Sequence, residues 1–188
     1  MKHLLMFAAA LAAGIVSAQE FNIKGDFAKT DKAGIPVGWY NNVWGGYQPA
    51  PKYEVIAEGE TKVLHVSEVK GKYGFSLSSS ARQPAVAGDI IVVTARVKGT
   101  GRVTFGLQGF TDKFKWIAVM PSTSLPIEAE WKDVKVELKV VEVSKTQKVG
   151  AIMVTFGGTS QGELFISNLK AEKKAAAPAP APAEAEKK

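Results

Sequence analysis

The stretch "GWYNNVWGGYQPAP" (38–51) gathers Trp39, Tyr40, Trp44 and Tyr47 among Gly, Asn and Pro. It has neither the alternation of a strand nor the spacing of a helix, so it reads as a loop. Such rings make no bonds; what they offer is flat, polarisable area with a wet edge. Either they cap the end of a core, or they are displayed to take something flat and apolar. Asn41, Asn42 and Gln48 stand beside them as hydrogen-bonding groups. Trp39, after Pro36-Val37-Gly38, reads first as a core cap, whereas Trp44, next to Gly45-Gly46, reads as the displayed ring. Trp116 in "KWIAVM" (115–120) is a further candidate, although alternation with Ala118 and Met120 also suits the core.

Bond-making chemistry has little to work with. The chain holds His3 and His65 as its two histidines and no cysteine, which removes thiol chemistry and most histidine-based triads and zinc sites. A carboxylate pair for glycoside hydrolysis would remain. Glu54, Glu58, Glu60, Glu128, Glu130, Asp133 and Glu163 fall in turns or on wet strand faces, without the E-x-D-x-x-E spacing that one class of sandwich glycanase uses. The expectation is a binding protein, not an enzyme.

The elements that must position these rings are strands. "VKVELKV" (134–140) alternates Val134, Val136, Leu138 and Val140 with charged residues, and "RVTFGLQGF" (102–110) turns Val103, Phe105 and Leu107 inward. Stretches 53–57, 62–67, 73–79, 90–98, 115–120, 150–156 and 162–169 behave alike, and Gly-rich turns separate them. Eight to nine short strands in about 150 residues predict an all-β, two-sheet sandwich of jelly-roll type. By parity His65, Ser76, Ser78, Thr94, Arg96 and Gln108 leave the core side. If their strands share one sheet they make a polar floor, with Arg96 and Gln108 long enough to reach a ligand.

The ends suggest a compartment. Residues 1–18 combine Lys2, an apolar run and the small-residue ending "VSA", the pattern of a cleaved signal peptide, so a secreted or periplasmic bacterial protein is expected. No later stretch is a transmembrane candidate. Residues 171–188, "AEKKAAAPAPAPAEAEKK", read as an extended Ala/Pro/Lys tail, either a solubilising terminus or a tether to the cell envelope. The formal net charge is +6, but the charges alternate with apolar residues instead of clustering, which argues against a nucleic-acid partner.

With the strands laid out, "FNIKGDF" (21–27) and "IPVGW" (35–39) resemble the N-x-x-G-D-F…P-x-G-W opening of carbohydrate-binding modules of the family 4/9 type, which are galactose-binding-like jelly rolls. "VAGDIIVVTARVKGTGRVTFGLQ", "EWKDVKVEL" and "GELFISNLKAEK" resemble later strands of that family, and the likeness spans nearly all of 21–172. The resemblance implies a non-catalytic polysaccharide-binding domain at 19–170. Its ligand residues would come from Trp39, Tyr40, Trp44, Tyr47, Arg96, Gln108 and Trp116, with Trp131 left as packing. It also implies a structural Ca²⁺ near the two ends, here reduced to Asp26 and Asn168, since the usual paired Asp of the closing strand is missing; Asp26 as a plain turn residue is the competing reading. The competing expectation is an envelope-associated structural or protein-interaction sandwich that kept the fold and lost sugar binding.

Overall fold

A computed structural model describes residues 18–42, 50–70, 74–158 and 162–174. Trp44, Tyr47, residues 1–17 of the leader and the chain after Lys174 therefore lie outside the described residues. The chain forms β1 (Gln19–Phe21), β2 (Trp39–Asn41), β3 (Lys52–Glu58), β4 (Thr61–Ser67), β5 (Phe75–Ser79), β6 (Gln83–Pro84) and β7 (Ile90–Gly99). It continues with β8 (Arg102–Phe110), β9 (Trp116–Val119), β10 (Thr123–Pro126), β11 (Lys132–Lys139), β12 (Ala151–Gly158) and β13 (Leu164–Lys174). No helix occurs among the described residues.

The strands make two antiparallel sheets. One runs β11-β7-β13-β4-β3 with β1 on β13; the other runs β10-β8-β12-β5-β2 with β6 on β12 and β9 on β8. The alternating faces meet in a single layer: Leu64, Val93, Val97 and Ile166 from the first sheet against Leu77, Phe105, Leu107 and Val154 from the second. All are at most 1 % exposed. The expected all-β sandwich is present, with thirteen strands where alternation predicts eight to nine. The additional ones, β1, β2, β6 and β10, are two to four residues long, too short to show a period.

Two segments depart from their expected roles. The supposed loop at 38–51 begins as strand: β2 pairs with β5, Trp39 opposite Ser79 and Tyr40 opposite Ser78. The closing strand runs to Lys174, past the expected boundary at 170, because Ala171 is a core residue and Lys173 and Lys174 still pair with Ile91 and Ile90.

An aromatic cluster closes one end of the core. Trp39 lies edge-on to Phe156 at 4.9 Å and Phe27 packs on both at 6.2 Å, while the indole N–H donates to the Lys24 carbonyl at 3.1 Å. Phe27 takes a left-handed backbone at φ 49, a conformation costing a bulky residue ~1–3 kcal/mol, which its near-complete burial offsets. Gly25 is equally constrained: its chain presses on β13 so closely that a Cβ would run into the Leu169 carbonyl. Trp39→Ala is expected to cost ~3–5 kcal/mol, lowering the melting temperature by roughly 6–20 °C. Scanning calorimetry checks it, and Gly25→Ala should be destabilising although it removes no contact.

Candidate functional site

The outer face of the seven-stranded sheet is laid out by register. Across β2, β5, β12 and β8 one row reads Tyr40, Ser78, Thr155, Gly106 and the adjoining row contains Ser76, Gly157, Thr104. Short side chains and glycines in strand interiors lower this surface, as expected where something else must approach the backbone. They floor a hollow of about 180 Å³ lined by Ser76, Thr104, Gly106, Ser122, Thr155 and Gly157, with the exposed Val119 on its rim. Gly106 sits so close to Ser122 and Thr155 that a methyl group would meet the Thr155 hydroxyl at 3.0 Å.

A hydrogen-bonded chain of side chains borders the hollow. Asn42 donates from Nδ2 to Ser76 Oγ at 2.9 Å and to Ser78 Oγ at 2.7 Å, and Gln108 Nε2 donates to Ser78 Oγ at 3.1 Å. Asn42 is 5 % exposed, and its Oδ1 is a buried acceptor without a donor among the described residues. Tyr40, 38 % exposed, lies on the same face and turns its hydroxyl toward Met153 Sδ at 3.8 Å. Beyond Met153 the face becomes apolar. Phe110 and Ala151 pack with Met153, the Arg82 guanidinium lies 4.7 Å over the Phe110 ring, and Trp116, 45 % exposed, pairs opposite Phe110 at the edge.

The sequence-named residues therefore separate. Tyr40, Gln108 and Trp116 share this face. Trp39 does not: it is buried at the end of the core, which removes it from the ligand rings and leaves its core-cap role. Arg96 is on β7 in the other sheet, so the single polar floor joining it to Gln108 does not exist. His65, Thr94 and Arg96 face outward from one sheet, Ser76, Ser78 and Gln108 from the other. Gln108 is also held by Ser78 and 8 % exposed, a buried part of the floor more than a free arm. Trp44 and Tyr47 fall outside the described residues.

Outward from the six-stranded sheet, cations lie on rings. Lys98 Nζ sits 4.8 Å over Trp131 and 4.9 Å over Phe165, Arg96 lies 5.2 Å over Trp131, and His65 stacks on Phe165 at 4.2 Å. Trp131 is thus packing on an outer face, with its N–H donating to Glu58 Oε2 at 3.0 Å. The Lys98 hydrogen bond at 2.9 Å, then the Trp131 N–H and the charges of Lys98 and Arg96, hold the Glu58 carboxyl below the usual glutamate range despite some desolvation.

Asp26 and Asn168 do line one hollow, of about 450 Å³, where the N-terminal segment meets a bulge in β13. Lys24 and Lys170 line it too, and among the described residues no three His, Cys, Asp or Glu side chains group together. Calcium requires six or more oxygens. The side chains lining this hollow include the acids Glu20 and Asp26 and the amides Asn22 and Asn168, fewer oxygen-bearing groups than that number. No helix among the described residues is long and apolar enough to cross a membrane, which leaves strand-based spanning untouched.

No family model matches the chain, and no curated protein matches it. Its fold does recur among solved structures. A Stig cyclase from Fischerella sp. TAU, in complex with an indole compound, is 16 % identical over 86 % of this chain and 100 % of that chain, with a TM-score of 0.61. An arabinose-bound MgGH51 α-L-arabinofuranosidase is 14 % identical over 86 % of this chain and 27 % of that one, at a TM-score of 0.51. A CBM4 protein is 9 % identical, covering 80 % of this chain and 98 % of that one, at a TM-score of 0.48. At these identities the likeness is one of fold. Because one such sandwich is a cyclase, fold alone does not separate binding from catalysis.

Glu58 gives a direct check on the outer six-stranded face. Its carboxyl carbon, followed by NMR, should titrate below an ordinary glutamate and return toward the ordinary value in Lys98→Met. A depressed folded pKa means a stabilising contribution that is present above the unfolded glutamate pKa and lost as pH falls through the folded one.

Proposed function

We propose that this is an exported, non-catalytic carbohydrate-binding sandwich that takes a saccharide on the outer face of its seven-stranded sheet. The observation that carries the reading is the pairing of partly exposed rings, Tyr40 and Trp116, with a lowered floor of hydroxyl and amide groups. A pyranose presents C–H faces to rings and hydroxyls around its rim, so a ligand site for it needs both at once. The amide nitrogen of Asn42, bonded to Ser76 Oγ and Ser78 Oγ, holds the hydroxyls of that floor in place. The sequence resemblance to carbohydrate-binding modules supports the same chemistry. Trp44 and Tyr47, next along the chain from Asn42, belong to the proposal as additional rings.

An open face of this kind binds weakly, with a Kd of roughly 10 µM to 1 mM. Titration with β-glucan, xylan and mannan, followed by tryptophan emission, should give a saturable shift with at least one of them. Tyr40→Ala and Trp116→Ala should each weaken it by about tenfold, equivalent to ~1.4 kcal/mol. Silence with all three glycans would leave the envelope-associated structural domain as the better reading, and turnover of a glycan would replace binding by catalysis. Export makes its own prediction: the mature protein starts at Gln19, as N-terminal sequencing would read.

A further inference from the structure

The outer face of the six-stranded sheet sorts its charges into rows. Across β11, β7 and β13 one row reads Lys135, Thr94, Lys170, and the next along the strands reads Asp133, Arg96, Ser167. On the other side of the lysine row stands Glu137, Val92, Glu172. Other lysines of this sheet have acids within reach: Lys98 with Glu58 at 2.9 Å, Lys174 with Glu137 at 3.3 Å and Lys173 with Asp89 at 3.6 Å. Arg96, Lys135 and Lys170 have no carboxylate within 4 Å among the described residues, and together with Thr94, Asp133 and Asn168 they line a hollow of about 360 Å³. The register places the two lysines on either side of Thr94, roughly 10 Å apart at Cα, with Arg96 about 7 Å along the middle strand.

We infer that this hollow is a second binding site, for the carboxylate of an acidic sugar such as a uronate. Arg96 is the anchor. Its guanidinium carbon lies 5.2 Å from the centroid of the Trp131 ring, and its N–H groups can donate two parallel hydrogen bonds to a carboxylate. Lys135 and Lys170 add charge from both sides, and Thr94 adds a hydroxyl. The acids decide which anion fits. Asp133, directly opposite Arg96, and Glu58, close enough to feel the Arg96 charge, repel a dianion such as phosphate more than a monoanion, and Glu172 adds a further acid on the far side of the lysine row. The site is on the opposite sheet from the one proposed for neutral saccharide, so the two fail independently.

The test is calorimetric titration of the full chain with trigalacturonate. Binding is expected at roughly 50 mM salt and should fade by 0.5 M, where charges are screened over about 4 Å. Arg96→Ala should weaken it by at least about tenfold, and Arg96→Lys should recover only part, since it restores charge without the fork. Lys135→Ala/Lys170→Ala should weaken it comparably, Asp133→Asn should tighten it, and the methyl-esterified trimer should not bind. Tyr40→Ala should leave it unchanged. The inference is overturned if no binding occurs at low salt, if Lys139→Ala on the same face costs as much as Arg96→Ala, or if inorganic phosphate displaces the trimer as effectively as galacturonate does.

Discussion

Burial of the Trp39 indole against Phe156 and Phe27 connects the core to the proposed saccharide face. In a strand successive side chains point to opposite sides. Once Trp39 is driven inward, Tyr40 is driven outward, and Asn42, two residues further on, is delivered to the same outer side, where its amide reaches Ser76 and Ser78. The short strand β2 has little pairing of its own to fix this register. The indole supplies it, through ring contacts and the hydrogen bond to the Lys24 carbonyl. The chain contains no cysteine, so no covalent bridge shares that task. The proposed binding surface is thus only as well placed as one buried ring makes it.

This dependence also explains what was legible in the sequence. The long strands announce themselves because Val, Ile, Leu and Phe repeat with period two against Lys, Glu and Thr, as in Lys132–Lys139 and Arg102–Phe110. Their faces could be assigned residue by residue, and Val103, Phe105 and Leu107 point inward as expected. Parity says which face a residue leaves, however, and not which sheet carries it. Arg96 and Gln108 lie on consecutive strands, β7 and β8, joined by a Gly-rich turn that looks like a hairpin. The turn instead crosses from one sheet to the other, and the inferred pair dissolves. Nothing local in "KGTG" distinguishes the two paths; the choice is made by which neighbours, β13 or β12, complete each sheet. Gly106 and Gly157 were the missed signal. Glycine inside an otherwise β-branched strand weakens it, and two of them facing the same hollow mark where a surface is kept low.

The two outer faces then follow from different solutions to the same problem, a sheet side that water must wet. On the six-stranded sheet, long side chains cover apolar surface with their stems and keep charge in solvent, as Lys98 does over Trp131 and Phe165. Val92 is 1 % exposed there even though its side chain leaves the core, which shows how completely its long neighbours shield the sheet. Around the hollow of the seven-stranded sheet the covering groups are short and neutral, so there the backbone lies near the surface and the hydrogen-bonding atoms are uncharged. Charge can attract an anion from a distance. A neutral hydroxyl ligand has no such attraction, and contact must come from shape and matched donors.

That difference gives the Asn42 side chain its meaning. Its Oδ1 has no donor among the described residues, and a buried acceptor in that state costs ~1–3 kcal/mol, so a loosely placed side chain would turn it toward water. Asn42 is instead held rigidly: two serine hydroxyls fix its amide nitrogen, and Gln108 fixes one of those serines from the far side. The serine hydroxyls of the floor are therefore pre-oriented, and a ligand on the proposed face would not have to order them, which keeps the entropy cost of binding small.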